Sequence, residues 1–151
     1  MAHLSWTVKE SLLSYVVDRA GGVVDVETPA KRSADGSFWF PAVGREFADA
    51  GTGSVTKFAG GVRLRGHGGM LDLPLRDPWI EQTAIGFVLT IVDPDDVNAR
   101  LPFVTMEEFV LRGNSRFGVA TSMTADGADL IFGPYEAGTP FDDPVLHDVS
   151  E

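Results

Sequence analysis

The chain has 151 residues, 44% of them hydrophobic and 23% charged, which is the size and balance of one soluble globular domain (residues 1–151) with a core of its own. It contains no cysteine, and this excludes disulfides, thiolate nucleophiles and cysteine-held zinc or iron. Twelve Lys and Arg against 22 Asp and Glu leave a formal charge of −10, a field that repels phosphate backbones and anionic membrane surfaces, so nucleic acid is not an expected partner.

Membrane insertion is not expected either, because no apolar run approaches the roughly 20 residues of a span. The opening MAHLSWTVKESLLSYVV lacks a basic leader and a small-residue cleavage site, and it carries Lys9 and Glu10 inside the would-be apolar stretch. As it stands, the sequence reads as cytoplasmic; as a domain trimmed from a larger protein, it would belong to the cell envelope or be secreted.

In chain order, the first expected element is a helix capped by Ser5, with Trp6, Val8, Leu12, Leu13, Val16 and Val17 at helical spacing and Gly21-Gly22 as its stop. Tyr15 falls at the edge of its apolar face. Short β segments follow, punctuated by 17 glycines and nine prolines. VVDVE (23–27) begins them, and SADG (33–36) is a turn into SFWFP. Residues 53–66 alternate in part, with Gly60-Gly61 a candidate bulge, and MLDLPL (70–75) puts Leu71, Leu73 and Leu75 on one face. AIGFVLTIVD (84–93) reads as a buried strand, DPDDVNAR (93–100) as a solvated loop, and MEEFVLRG (106–113) as a strand or a helical turn. Residues 116–132 read as two strands around an Asp126-Gly127 hairpin turn. GPYEAGTPFDDPVL looks like a loop, its acidic pair solubilising. The expected fold is mainly β, an antiparallel sandwich-like domain with an N-terminal helix and room for one further short helix.

Three histidines are too few for a multi-histidine metal centre, no G-x-S-x-G marks a serine nucleophile, and DPDDVNAR lacks the calcium-loop pattern. GHGG is too short for a phosphate loop and lacks its lysine. What stands out is His67 inside RLRGHGGMLDL: glycines there mark a sharp bend, or clearance for a flat partner beside the imidazole. Only two tyrosines, Tyr15 and Tyr135, stand against ten phenylalanines. Each alone reads most simply as an aromatic at a core margin or sheet end. As a set, a phenolate for ferric iron and a histidine that hydrogen-bonds it are compatible with haem. Met70 and Leu71 would offer contact to a porphyrin, and Arg63 and Arg65 would pair with its propionates.

The ordered motifs LSWTVKESLLSYV, FWFP, GGVRLRGHGGMLDLPLRDPWI and YEAGTPFDDPV resemble those of an HtaA domain, a haem-binding module of actinobacterial haem-uptake proteins, and the resemblance covers nearly the whole chain. It implies a largely antiparallel β fold, with Tyr15 as axial ligand to ferric haem b, His67 supporting it by a hydrogen bond, and Tyr135 influencing binding. The implied function is non-enzymatic capture and transfer of haem, with haem and haem donor or acceptor proteins as partners. Two other readings compete: a haem-dependent, peroxidase-like enzyme, and a β-rich interaction or apolar-ligand module that no longer binds haem.

Overall fold

The computed structural model describes residues 1–47, 53–131 and 135–149, with the Phe47 side chain outside the description. Its strands are β1 (His3–Trp6), β2 (Val23–Glu27), β3 (Lys31–Arg32), β4 (Phe38–Phe47), β5 (Ser54–Phe58), β6 (Gly61–Gly66), β7 (Leu71–Arg76), β8 (Trp79–Thr83), β9 (Gly86–Asp93), β10 (Asp96–Met106), β11 (Glu108–Arg112), β12 (Ser115–Val119), β13 (Ser122–Met123) and β14 (Val145–His147). Two helices accompany them, α1 (Glu10–Asp18) and α2 (Ala125–Leu130). A large curled sheet runs β11-β12-β14-β1-β4-β5-β8-β9-β10-β13, with β3 added beside β4; β2-β6-β7 form a second sheet. All pairings among the described residues are antiparallel, as the composition led us to expect.

Period-two alternation decides which side chains enter the core. Leu71, Leu73 and Leu75 of β7 and Val62 and Leu64 of β6 point inward. They meet Leu12, Leu13 and Val16 of α1, Phe38 and Phe40 of β4, and Leu89 and Ile91 of β9 in one buried cluster. The chain crosses between the sheets twice at one place. Gly60 (φ +103°) and Asp77 (φ +48°) face each other there, the Gly60 N–H donating to the Asp77 carboxylate at 3.0 Å and the Asp77 N–H to the Gly60 carbonyl at 2.8 Å. Gly60 is therefore a crossing point between sheets and not the bulge the sequence suggested.

Three other expectations are corrected. Residues 3–6 form a strand, because β14 and β4 claim the backbone of Ser5 from both sides while Leu4 and Trp6 alternate inward. The helix starts only at Glu10, after Val8 turns the chain at φ +64°. Residues 96–100 belong to β10, so DPDD is a hairpin turn limited to Pro94-Asp95. Ala125-Asp126-Gly127 opens α2, with the Thr124 hydroxyl capping the Gly127 N–H at 2.9 Å. Gly127 is small for a packing reason: a Cβ there would stand 2.5 Å from the Phe103 carbonyl oxygen. The end of that predicted second strand, Phe132, lies outside the described residues, as do Gly133 and Pro134. Of residues 106–113, the strand reading holds and the helical turn does not: Met106 ends β10 and Glu108–Arg112 form β11.

Candidate functional site

Tyr15 and His67 meet. The Tyr15 hydroxyl lies 2.6 Å from His67 Nε2, with ring centroids 5.6 Å apart and planes tilted by 57°. Tyr15 sits on α1 just outside the stripe made by Leu12, Leu13 and Val16, and remains 42% exposed. His67 follows β6 directly, as the first residue of a short 3-10 turn, His67–Gly69. Its N–H donates to the Ala20 carbonyl at 2.9 Å, which ties the turn to the residues just beyond α1. The imidazole nitrogen serves either state of the oxygen: unprotonated it accepts from a tyrosine hydroxyl, and protonated it donates to a phenolate.

The glycines around His67 divide into two kinds. Gly66 is small because a Cβ would come within 2.7 Å of the Ala20 Cβ, so α1 is held close to β6. Gly68 (φ +65°) and Gly69 (φ +99°) turn the chain in conformations that side chains rarely adopt, and nothing lies within 4 Å of where their Cβ atoms would be. His67 itself takes φ +50°, an uncommon conformation for a residue with a Cβ. Clearance beside the imidazole is thus a property of the fold. A hollow of about 360 Å3 runs along the same helix, lined by Ser11, Ser14, Tyr15, Asp18 and Arg19. Met70, at the end of the turn, is 69% exposed.

Tyr135 is half-buried, its ring edge-on to Phe141 at 6.4 Å. Burial, and then the charge of Tyr15, raise the pKa of its phenol. The structure does not bring Arg63 and Arg65 to this group. They leave β6 on the face opposite Val62 and Leu64, and each is held by a carboxylate: Arg63 by a two-pronged bond to Asp72 (2.8 and 2.6 Å), Arg65 by Asp25 (2.5 Å). The Asp72 hydrogen bond is what raises the Arg63 pKa. With Glu27–Arg76 they make a ladder of ion pairs across the second sheet, on top of the backbone pairing of β6 with β2 and β7. The other two histidines stack on each other at 4.5 Å across β1 and β14, and His147 Nδ1 lies 2.8 Å from the Ser115 hydroxyl.

One residue that matters here was missed in the sequence. Lys9 precedes α1 without a capping side-chain bond, and Asp142, 132 residues beyond Glu10, supplies the cap instead. Its Oδ2 accepts from the Glu10 N–H at 2.8 Å and the Thr7 hydroxyl at 2.6 Å, while its backbone carbonyl accepts from Trp6 Nε1 at 2.7 Å. Asp143 likewise accepts from the Thr121 hydroxyl at 2.6 Å. The FDDP acidic pair is therefore internal wiring and not solubilising loop chemistry. A local capping signal does not exist, because the cap arrives from the other end of the chain. Asp142→Ala should lower stability by about 2 kcal/mol, the sum of a lost cap and an orphaned Thr7 hydroxyl, read as a lower urea midpoint with an unchanged slope. Asp142→Asn, which keeps an acceptor oxygen, should recover most of it.

The fold is thus an antiparallel β module that presents a hydrogen-bonded tyrosine–histidine pair at its surface, beside a glycine turn and a hollow along α1. The HtaA family model, whose description reads "Htaa", matches residues 1–146, and the chain belongs to that family. HtaA domains are known as haem-uptake modules. The fold is similar to the crystal structure of the C-terminal domain of HtaA from Corynebacterium glutamicum, at 20% identity and a TM-score of 0.78 over 96% of this chain and 93% of that one. The N-terminal domain of the same protein aligns equally well, at 20% identity and 0.78 over 99% and 97%. A domain-swapped dimer variant of the C-terminal domain aligns less well, at 16% identity and 0.61 over 89% and 87%. No curated protein matches the chain.

Proposed function

We propose that this chain captures ferric haem at Tyr15 and hands it on, with the Tyr15 oxygen as axial ligand and His67 as its hydrogen-bond partner. The observation that supports this most directly is the 2.6 Å contact between the Tyr15 hydroxyl and His67 Nε2 at an exposed edge of the fold. A phenolate oxygen is a hard donor suited to ferric iron, and the imidazole holds it in orientation while supplying a proton to the oxygen's second lone pair. Gly68 and Gly69 leave the plate free to approach. The hollow along α1 takes an edge of it and leaves the remainder in solvent. Met70 offers apolar contact. A single protein ligand at an open site suits a carrier, since release then requires breaking one bond to iron and little apolar burial.

The test is an absorption titration of the apoprotein with ferric haemin. A saturable Soret shift with a high-spin ferric–phenolate signature supports the proposal; no shift in the folded wild type overturns it. In His67→Ala the same signature should persist while the affinity falls by roughly tenfold, because a hydrogen bond to a charged oxygen contributes about 1.5–3 kcal/mol and solvent restores part of it at an exposed site.

A further inference from the structure

On the large sheet, strands β4, β5, β8, β9 and β10 line a second hollow, of about 460 Å3, that shares no lining residue with the one beside Tyr15. Its wall carries Trp79 with two cations over the indole: Lys57 Nζ lies 4.4 Å from a ring centroid and the Arg100 guanidinium carbon 3.9 Å. Stacking of this kind fixes both cations in place. Lys57 has a counterion, the Glu46 carboxylate at 2.8 Å. Arg100 does not.

The guanidinium of Arg100 is held by neutral oxygens. One terminal nitrogen donates to the Asp77 carbonyl at 2.6 Å, the Thr90 carbonyl at 2.9 Å and the Thr90 hydroxyl at 3.1 Å, and Nε reaches the same hydroxyl at 3.2 Å. Among the described residues no carboxylate stands within ion-pairing distance of it. Two carboxylates stand close by without pairing to it: Asp77 turns its own to the Gly60 N–H at 3.0 Å, and Glu81 accepts from the Thr90 hydroxyl at 3.1 Å. Burial depresses the Arg100 pKa, against the opposing fields of Asp77 and Glu81. Carbonyl dipoles orient a guanidinium, and Asp77 and Glu81 act on its charge only through space, so among the described residues no anion hydrogen-bonds to it directly. A guanidinium also has five N–H donors, and among the described residues these bonds use only Nε and one terminal nitrogen, leaving the other terminal nitrogen open.

The remaining chemistry narrows the ligand. Val43 and Val97, 63% and 75% exposed, give the hollow an apolar rim, so the anion arrives on an apolar body. A chain of net charge −10 disfavours polyanions such as nucleotides and phosphates, leaving a monoanion whose binding rests on local contacts. We propose that this hollow binds a small amphipathic monocarboxylate, its carboxylate on the open nitrogen of Arg100 and its apolar body against Val43 and Val97. The site is independent of Tyr15 and His67.

The experiment is calorimetric titration of the full chain with octanoate, with 1-octanol as the uncharged comparison and Arg100→Gln as the variant. Octanoate should bind saturably, 1-octanol should bind at least about tenfold more weakly, and Arg100→Gln should weaken octanoate by at least about tenfold. Equal binding of octanoate and 1-octanol, or octanoate binding that survives in Arg100→Gln, overturns the proposal, as does the absence of saturable binding up to about 10 mM in the wild type. Should Arg100→Gln lose its folded circular dichroism spectrum, Val97→Asp places a carboxylate on the exposed rim without touching the Trp79 stack. It should abolish octanoate binding, and unchanged binding there also overturns the proposal.

Discussion

Tyr15→Phe should remove the ferric–phenolate charge-transfer band on haemin titration and weaken binding by about a hundredfold, while leaving the unfolding midpoint almost where it was. The separation follows from where the side chain sits. Tyr15 is 42% exposed and outside the buried stripe of α1, so its ring contributes little to the core. Its one hydroxyl bond, to His67, is solvent-facing and contributes on the order of 1 kcal/mol or less. Loss of the donor atom to iron is a different matter, because two factors of ten in affinity correspond to about 2.7 kcal/mol and a metal–oxygen bond exceeds that. The variant also frees His67 Nε2 of its partner. A residual Soret shift in Tyr15→Phe should therefore carry an imidazole-ligated signature and vanish in the Tyr15→Phe, His67→Ala double variant. An unchanged phenolate band in the single variant would mean that another oxygen, with Tyr135 the nearest phenol, holds the iron.

What could be read from residues alone follows a physical boundary. Elements whose evidence is local were legible: the alternation of Leu71, Leu73 and Leu75 gave β7, and the run at 84–93 gave β9. The pairing of Tyr15 with His67 was legible only through the order of motifs, since 52 residues separate them and no spacing rule brings a helix edge to a strand end. Where a decision depended on long-range partners, local patterns misled. Trp6 and Val8 fit a helical stripe as well as a strand, and the strands on either side of Ser5 decide against the helix. The Asp-Gly at 126–127 has the chemistry of a hairpin turn, but Thr124 caps a helix there and the Phe103 carbonyl requires a glycine. Asp142 looked like loop charge because its role, capping α1, exists only after folding. Arg63 and Arg65 share a face, as parity predicted, but that face points away from the core that α1 packs into, and Asp72 and Asp25 are already on it.

The fold's most sensitive point near the site is the contact between Gly22 and β6, and Gly22→Ala should unfold much of the population. A Cβ at Gly22 would overlap the Arg65 carbonyl oxygen and crowd the Arg65 carbonyl carbon and Gly66 Cα, all backbone atoms fixed by the β2–β6 and β6–β7 ladders. No rotamer relieves a clash between backbones, so the strands must separate, at a cost of at least about 3 kcal/mol. That is a large fraction of the 5–15 kcal/mol that holds a domain of ordinary stability together. Gly21 provides the control one residue earlier. It turns the chain at φ +58° with nothing within 4 Å, so Gly21→Ala meets only the left-handed backbone penalty, about 1 kcal/mol. Urea midpoints of the two variants should differ accordingly. The same experiment reaches the site, because the Gly22 N–H returns to the Val16 carbonyl at 2.8 Å and the His67 N–H to the Ala20 carbonyl at 2.9 Å, so this junction sets the distance between α1 and the His67 turn. In whatever folded fraction Gly22→Ala retains, displaced strands should lengthen the Tyr15–His67 contact and weaken haemin binding as His67→Ala does, whereas Gly21→Ala should bind as the wild type. Equal midpoints for the two variants would mean that β2 and β6 yield at this junction and that the tyrosine–histidine geometry is set elsewhere.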